Sequence, residues 1–177
     1  MARTFTLPKK GSGNWSEGWH TLTISKAEYG DWEDTKYIDL WFEGYPENFN
    51  MRVYAKIGKD GEEFAIGSLY RFANAGITDA LKSAEGETIL KIDDSAEALT
   101  GKTVNVMFYK DGKFTRPLTK VAPVPFKNIV EEFTEKDVTY FKGVAEKFFS
   151  KWVEPKLKDE PHEPAATTDT VTDDIPF

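Results

Sequence analysis

Three segments of the chain alternate apolar and polar residues with a period of two, and this alternation limits the fold more than any other feature. Successive side chains of a β-strand point to opposite faces, so such segments build a sheet with one buried side. Residues 19–27 put Leu22 and Ile24 on one face. Residues 36–43 put Ile38, Leu40 and Phe42 on one face and Tyr37, Asp39, Trp41 and Glu43 on the other. Residues 50–57 set Met51, Val53, Ala55 and Ile57 against Arg52, Tyr54 and Lys56.

The period then changes. Over 63–84 the apolar residues Phe64, Ile66, Leu69, Tyr70, Phe72, Ala73, Ile77, Ala80 and Leu81 fall at helical spacing, and Gly76 divides the segment into two short helices. A Gly101-Lys102 turn introduces a strand over 103–110 with Val104, Val106 and Phe108 inward, and Asp111-Gly112 turns it into a last strand over 113–121. Three strands, a helix and two strands is the order of a five-stranded OB-fold barrel, a mainly β class. Thr134 with Asp137 three residues on predicts a capped helix. Its stripe of Val138, Phe141, Val144, Ala145, Phe148, Phe149 and Trp152 must pack on the barrel or against a second copy, and Pro155 ends it.

The expected organisation is an irregular arm over 1–18 carrying Lys9, Lys10 and Trp15, a barrel over 19–126, an amphipathic helix over 127–155, and a disordered acidic tail over 156–177. The net charge of -7 is uneven: six of the 30 acidic residues lie beyond Lys158, which leaves 24 against 23 Lys and Arg in the body. A nearly neutral body can group its cations on one face. Without cysteine there is no disulfide or thiolate site, and His20 and His162 sit in unrelated contexts, so neither a metal nor another cofactor is expected. No segment reaches the roughly 20 apolar residues of a membrane span, and the first residues lack a signal peptide's apolar run, so a cytoplasmic location is expected.

The residues facing outward suggest what the sheet contacts. Arg52, Tyr54 and Lys56 present cation, ring and cation in sequence, which suits a chain of phosphates and unpaired bases; Tyr37 and Trp41 share that face if the two strands pair. β-propensity and solubility account equally well for Tyr54 alone, whereas a tryptophan on a polar strand face leaves a large apolar surface unexplained. Asp39 and Glu43 oppose a purely phosphate-lined surface. The late hairpin adds Tyr109, Lys110, Lys113, Phe114 and Arg116, and Trp32 occupies the turn between the first two strands, either stacking bases or sealing the barrel's end. Trp15 and Trp19 carry the same two readings.

The sequence closes on Asp173-Asp174-Ile175-Pro176-Phe177, an acidic tip with an apolar end, suited to a partner pocket that takes the phenyl ring while basic groups hold the carboxylates. This ending resembles the C-terminal tip of bacterial single-stranded DNA-binding proteins. The central part, with Leu99-Thr100-Gly101-Lys102-Thr103-Val104, resembles phage-encoded single-stranded DNA-binding proteins. The resemblance implies an OB fold, binding of single-stranded DNA with little sequence preference during phage DNA replication, recombination or repair, and recruitment of replication or recombination enzymes by the tip. It also implies a tail that competes with DNA. The protein is then no enzyme, and is a monomer or homodimer. Two rivals stand beside this reading: an annealing or recombination-mediator protein, which needs ordered oligomers, and a protein-interaction adaptor using barrel and tail. A nuclease is disfavoured because the pairs Glu62-Glu63 and Asp93-Asp94 are adjacent residues whose side chains diverge.

Overall fold

The computed structural model describes residues 2–4 and 13–158, and the acidic tip lies outside them. The structure is mainly β. Its centre is an antiparallel sheet ordered β3-β2-β1-β6-β7, formed by β1 (Gly18–Trp32), β2 (Thr35–Phe42), β3 (Met51–Tyr54), β6 (Thr103–Asp111) and β7 (Phe114–Pro117). The strand β1 serves two partners. Gly18 to Thr23 pair with β6, the register shifts between Ile24 and Lys26, and the remainder pairs with β2. Such a bulge bends the strand and increases its twist, letting one strand carry two ladders running in different directions.

Most inward residues expected from alternation form the core: Leu22, Ile24, Ile38, Leu40, Phe42, Met51, Val53, Val104, Val106 and Phe108 are buried, with α1 (Ala65–Phe72) contributing Ile66, Leu69 and Tyr70, whereas Ala55 is half-buried and Ile57 exposed because β3 ends at Tyr54. Glu63 starts α1, its carboxylate accepting from the backbone N–H groups of Ala65, Ile66 and Gly67 and also of Lys56. Four donors on one carboxylate satisfy the helix's first turn and tie it to the chain leaving β3.

The expectations for the barrel, for the segment 63–84 and for the first turn need correction. The sheet is not closed into a barrel: β3 and β7 remain its two edges. The helical pattern over 63–84 holds only to Phe72. Asn74 and Gly76 take positive φ, and 77–92 form a hairpin of β4 (Ile77–Lys82) and β5 (Thr88–Ile92). Helical and strand periods overlap in so short a run, and pairing with 88–92 decided between them. The first turn is also tighter than expected. β1 continues through Trp32, and Glu33 and Asp34, at φ 49 and 67, make a two-residue turn.

The motif Leu99 to Val104 is structural. A 3-10 turn over Ala96–Leu99 drives Leu99 into the core, and Gly101 at φ 83 redirects the chain into β6. Strand β6 is buried on both faces from Val104 to Tyr109. Its second face is covered by α2 (Glu135–Phe148) and the π-helical turn Phe149–Val153, where Met107, Tyr109 and Leu118 meet Ala145, Val153, Phe148 and Phe149. The amphipathic helix therefore packs within the chain. Thr134 and Asp137 form the expected capping box, and Glu146 accepts a 2.7 Å hydrogen bond from the Trp19 indole. The short pair β8 (Phe126–Lys127) and β9 (Glu132–Phe133) links sheet to helix, held by a two-pronged Arg71–Glu131 ion pair at 2.8 and 2.9 Å. The helix does not end at Pro155 as expected: α3 (Glu154–Lys158) contains that proline, which falls in its first turn where the missing N–H costs little, so 156–158 are helical, and Trp152 of the expected stripe is exposed. Trp15 packs against Tyr45, Phe49 and Phe108, so it serves the fold.

Candidate nucleic-acid interface

β2 and β3 pair with Tyr37 opposite Tyr54 and Asp39 opposite Arg52, so the outward residues of the two strands form one cross-strand array. The Tyr37 and Tyr54 rings meet edge to face at 5.6 Å, and Trp32, 54 % exposed, reaches Tyr54 at 6.4 Å. Gly30 pairs with Tyr37 across β1 and β2, and the tyrosine ring lies over its α-carbon where a side chain would otherwise stand. A glycine facing an aromatic residue across two strands is the sequence signal for this seating, and alternation alone passes over it.

Arg52 joins the rings to the charges. Its guanidinium carbon lies 3.7 Å from the centroid of the Tyr37 ring, while Nε and Nη2 donate to the two oxygens of Asp39 at 2.8 and 3.0 Å. That fork raises the Arg52 pKa against the opposing effect of burial, so the group is a permanent cation. Asp39 itself is buried, and the ion pair neutralises the charge that counted against a phosphate-lined surface in the sequence reading. The Arg52 side chain keeps 40 % of its exposure, and a guanidinium plane is a group on which bases stack. Trp41 is half-buried at the far end of the array. Its indole donates to the Glu47 carbonyl at 2.9 Å, and the Lys26 ammonium sits 4.6 Å from its ring.

Lys56 lies just past β3, and its ammonium is 5.9 Å from the Phe148 ring. Burial, then Lys120, then Lys156 push its pKa below the ordinary lysine value. It belongs to a neighbouring pocket as much as to the array.

The second expected group is only partly at the surface. Phe114 is half-exposed at the tip of the β6–β7 hairpin, with Lys113 and Arg116 each 5.7 Å from its ring. Arg116 also pairs with Asp111 at 2.7 Å, and Lys110 donates to Thr115 at 2.7 Å. Tyr109 departs from the expectation. It is buried against Phe149 of the π-helical turn, with ring centroids 5.1 Å apart, and desolvation raises its pKa to about 12. The helix covers its face of β6, so Tyr109 has no surface to offer a base. The hairpin tip lies beyond the Gly18 end of β1 and Trp32 at the other end, so β1 separates the two groups along its length.

No group of acidic or histidine residues arranged to hold a metal occurs among the described residues, and no described helix is long and apolar enough to cross a membrane. Comparison with known proteins found no matching family model, no matching curated protein and no matching solved structure.

Proposed function

We propose that the chain binds single-stranded DNA, with little sequence preference, across the outer face of β2 and β3. The observation that carries this reading is the continuous row Trp32, Tyr54, Tyr37 and Arg52: three rings and a guanidinium plane at contact spacing on one sheet face. Every base has a π-face, so such a row holds unpaired nucleotides whatever their sequence, at about 1 to 3 kcal/mol per stacked base. Phe114 with Lys113 and Arg116 at the hairpin tip, at the other end of β1, is a second and separate group of ring and cations for a longer strand. The strand order supports reading the sheet as an opened five-stranded OB barrel, with a long bent β1 shared by two partners and a helix following β3.

The role is non-catalytic and cytoplasmic, in phage DNA replication, recombination or repair, and the protein belongs with the single-stranded DNA-binding proteins that its sequence resembles. The tip Asp173 to Phe177 recruits partner enzymes, and the acidic tail competes with DNA. The test is tryptophan fluorescence during titration with oligo(dT) at two salt concentrations, on the intact chain and on one ending at Lys158. Salt-sensitive quenching, with a log–log slope of about 0.7 per phosphate contacted, is the expected result. Tighter binding by the shorter chain at low salt follows from tail competition. Absence of both quenching and gel retardation overturns DNA binding and leaves the adaptor reading.

A further inference from the structure

After α1 the chain forms the hairpin β4–β5, which pairs with no third strand among the described residues. Its register sets Asp79 opposite Lys91, Ala80 opposite Leu90 and Leu81 opposite Ile89. Opposite residues share a face and successive residues alternate, so Asp79, Lys91, Leu81 and Ile89 make one face while Ala80 and Leu90 belong to the other. Burial follows this division. Ala80 and Leu90 are half-buried, as are Ile77 and Ile92 at the hairpin's base, and all four residues of the first face are exposed. Leu81 and Ile89 each keep 44 % of their exposure, two aliphatic side chains side by side in water.

The charges beside this apolar pair select what covers it. One acid and one base give the face no net attraction for a chain of phosphates or for an acidic segment. The face is instead complementary to itself. A second copy, turned by a half-turn about the hairpin's long axis, sets each Leu81 on the other copy's Ile89 and each Asp79 on the other copy's Lys91, which closes a square of four alternating charges. The contact is small. β5 has five residues at about 3.4 Å each, and two strands lie about 4.8 Å apart, so the face offers far less than the about 800 Å² per partner of a stable complex. Association through it is reversible and follows protein concentration.

We infer that the exposed face of the β4–β5 hairpin is a self-association surface, on which two copies of this chain meet through Leu81, Ile89, Asp79 and Lys91. A contact of this symmetry is used up by two copies, so it gives dimers and neither rings nor filaments. The inference goes beyond the DNA-binding reading and shares no residue with the row of rings.

The test uses the full chain without DNA, labelled with 15N. Amide resonances are followed from micromolar to millimolar protein, and mass is followed by sedimentation equilibrium. Shifts that depend on concentration are expected at 79–82 and 88–91, with the mass rising towards two copies and no further. L81E is expected to abolish both. D79K makes the face wholly basic and K91D wholly acidic, so each alone is expected to weaken self-association at least about fivefold. Mixed in equal amounts, the two variants are expected to associate again, because every facing pair is then of opposite sign; labelling D79K alone reports the mixed dimer. A dispersed spectrum of each variant establishes that it is folded, and the charge variants decide the matter should L81E fail to fold. The surface is overturned by shifts that are absent or confined to other elements, by wild-type association of folded L81E, by a mass that passes two copies, or by a mixture of D79K and K91D that associates no better than either alone. Failure of oligo(dT) binding removes the row of rings and leaves this contact standing.

Discussion

The ring of Tyr37 occupies the space that a side chain at position 30 would need: a β-carbon added to Gly30 meets the tyrosine hydroxyl and ring carbons. Gly30 has no positive φ, so the backbone itself accepts alanine, and the nearest conflict is with the tyrosine ring. Gly30→Ala is therefore expected to lift Tyr37 away from β1 and from Arg52 while the sheet persists. Oligo(dT) affinity should fall by about 1 kcal/mol or more, the lower end of one stacking contact, with the far-ultraviolet dichroism unchanged. Equal affinity in the variant sinks the role given to the seated ring.

Arg52→Lys keeps a positive charge but loses both the planar stack on Tyr37 and the fork on Asp39. Weakening of DNA binding is expected to exceed the effect of a lost phosphate contact, because a lysine is not equivalent at a stacked, two-pronged site. Arg52→Ala additionally strands the buried Asp39, and destabilisation of about 1 to 3 kcal/mol in urea unfolding is the expected reading. Matching oligo(dT) affinities for wild type and lysine variant count against the stack.

Trp32 meets Tyr54 edge to face and keeps 54 % of its exposure, so Trp32→Ala is expected to leave the midpoint of unfolding nearly unchanged. The same change should remove about 1 to 3 kcal/mol of oligo(dT) binding. Unfolding shifted by several kcal/mol with DNA binding intact identifies Trp32 as an end seal instead.

Glu63 acts on the fold. Its carboxylate accepts four backbone N–H groups, so Glu63→Ala leaves the first turn of α1 without its acceptor. The expected loss is about 2 kcal/mol, as for hydrogen bonds to a charged group, measured by urea denaturation. Glu62→Ala, whose side chain is exposed, serves as the control.

Alkaline pH should destabilise the fold through its buried phenols. Desolvation raises Tyr109 to about 12, and burial also raises Tyr70 and Tyr29 above 10. Above pH 10 the unfolded chain loses these protons and the folded chain keeps them, so stability falls as pH rises. For Tyr109 the fall runs from about 10 to 12 and amounts to about 2 to 3 kcal/mol. Tyr109→Phe is expected to flatten that part of the curve in denaturant titrations across this range. An unchanged slope shows that Tyr109 ionises as freely folded as unfolded.

Legibility in the chain followed the range of the interactions. Local alternation was enough for β2, for the inward residues of β1, β3 and β6, and for the Asp111-Gly112 hairpin, because pleat and turn geometry act over neighbouring residues. The Thr134 and Asp137 box was readable for the same reason, since both partners lie within one helical turn. The residues of the β2–β3 array followed from alternation and one strand pairing.

Contacts between distant segments settled the rest. Residues 77–82 fit either period until 88–92 paired with them. Tyr109 alternates outward like Arg52 and Tyr54, and only the arrival of the π-helical turn at Phe149, forty residues later, buried it. Asp39 reads as an obstacle to phosphates until Arg52, on the adjoining strand, neutralises it. The pocket bordered by Lys56 joins β3, α1, 119–121 and α2, four segments whose side chains share no sequence pattern. Desolvation, ion pairing and sheet closure depend on which segments meet in space, and periodicity within one segment carries no record of that.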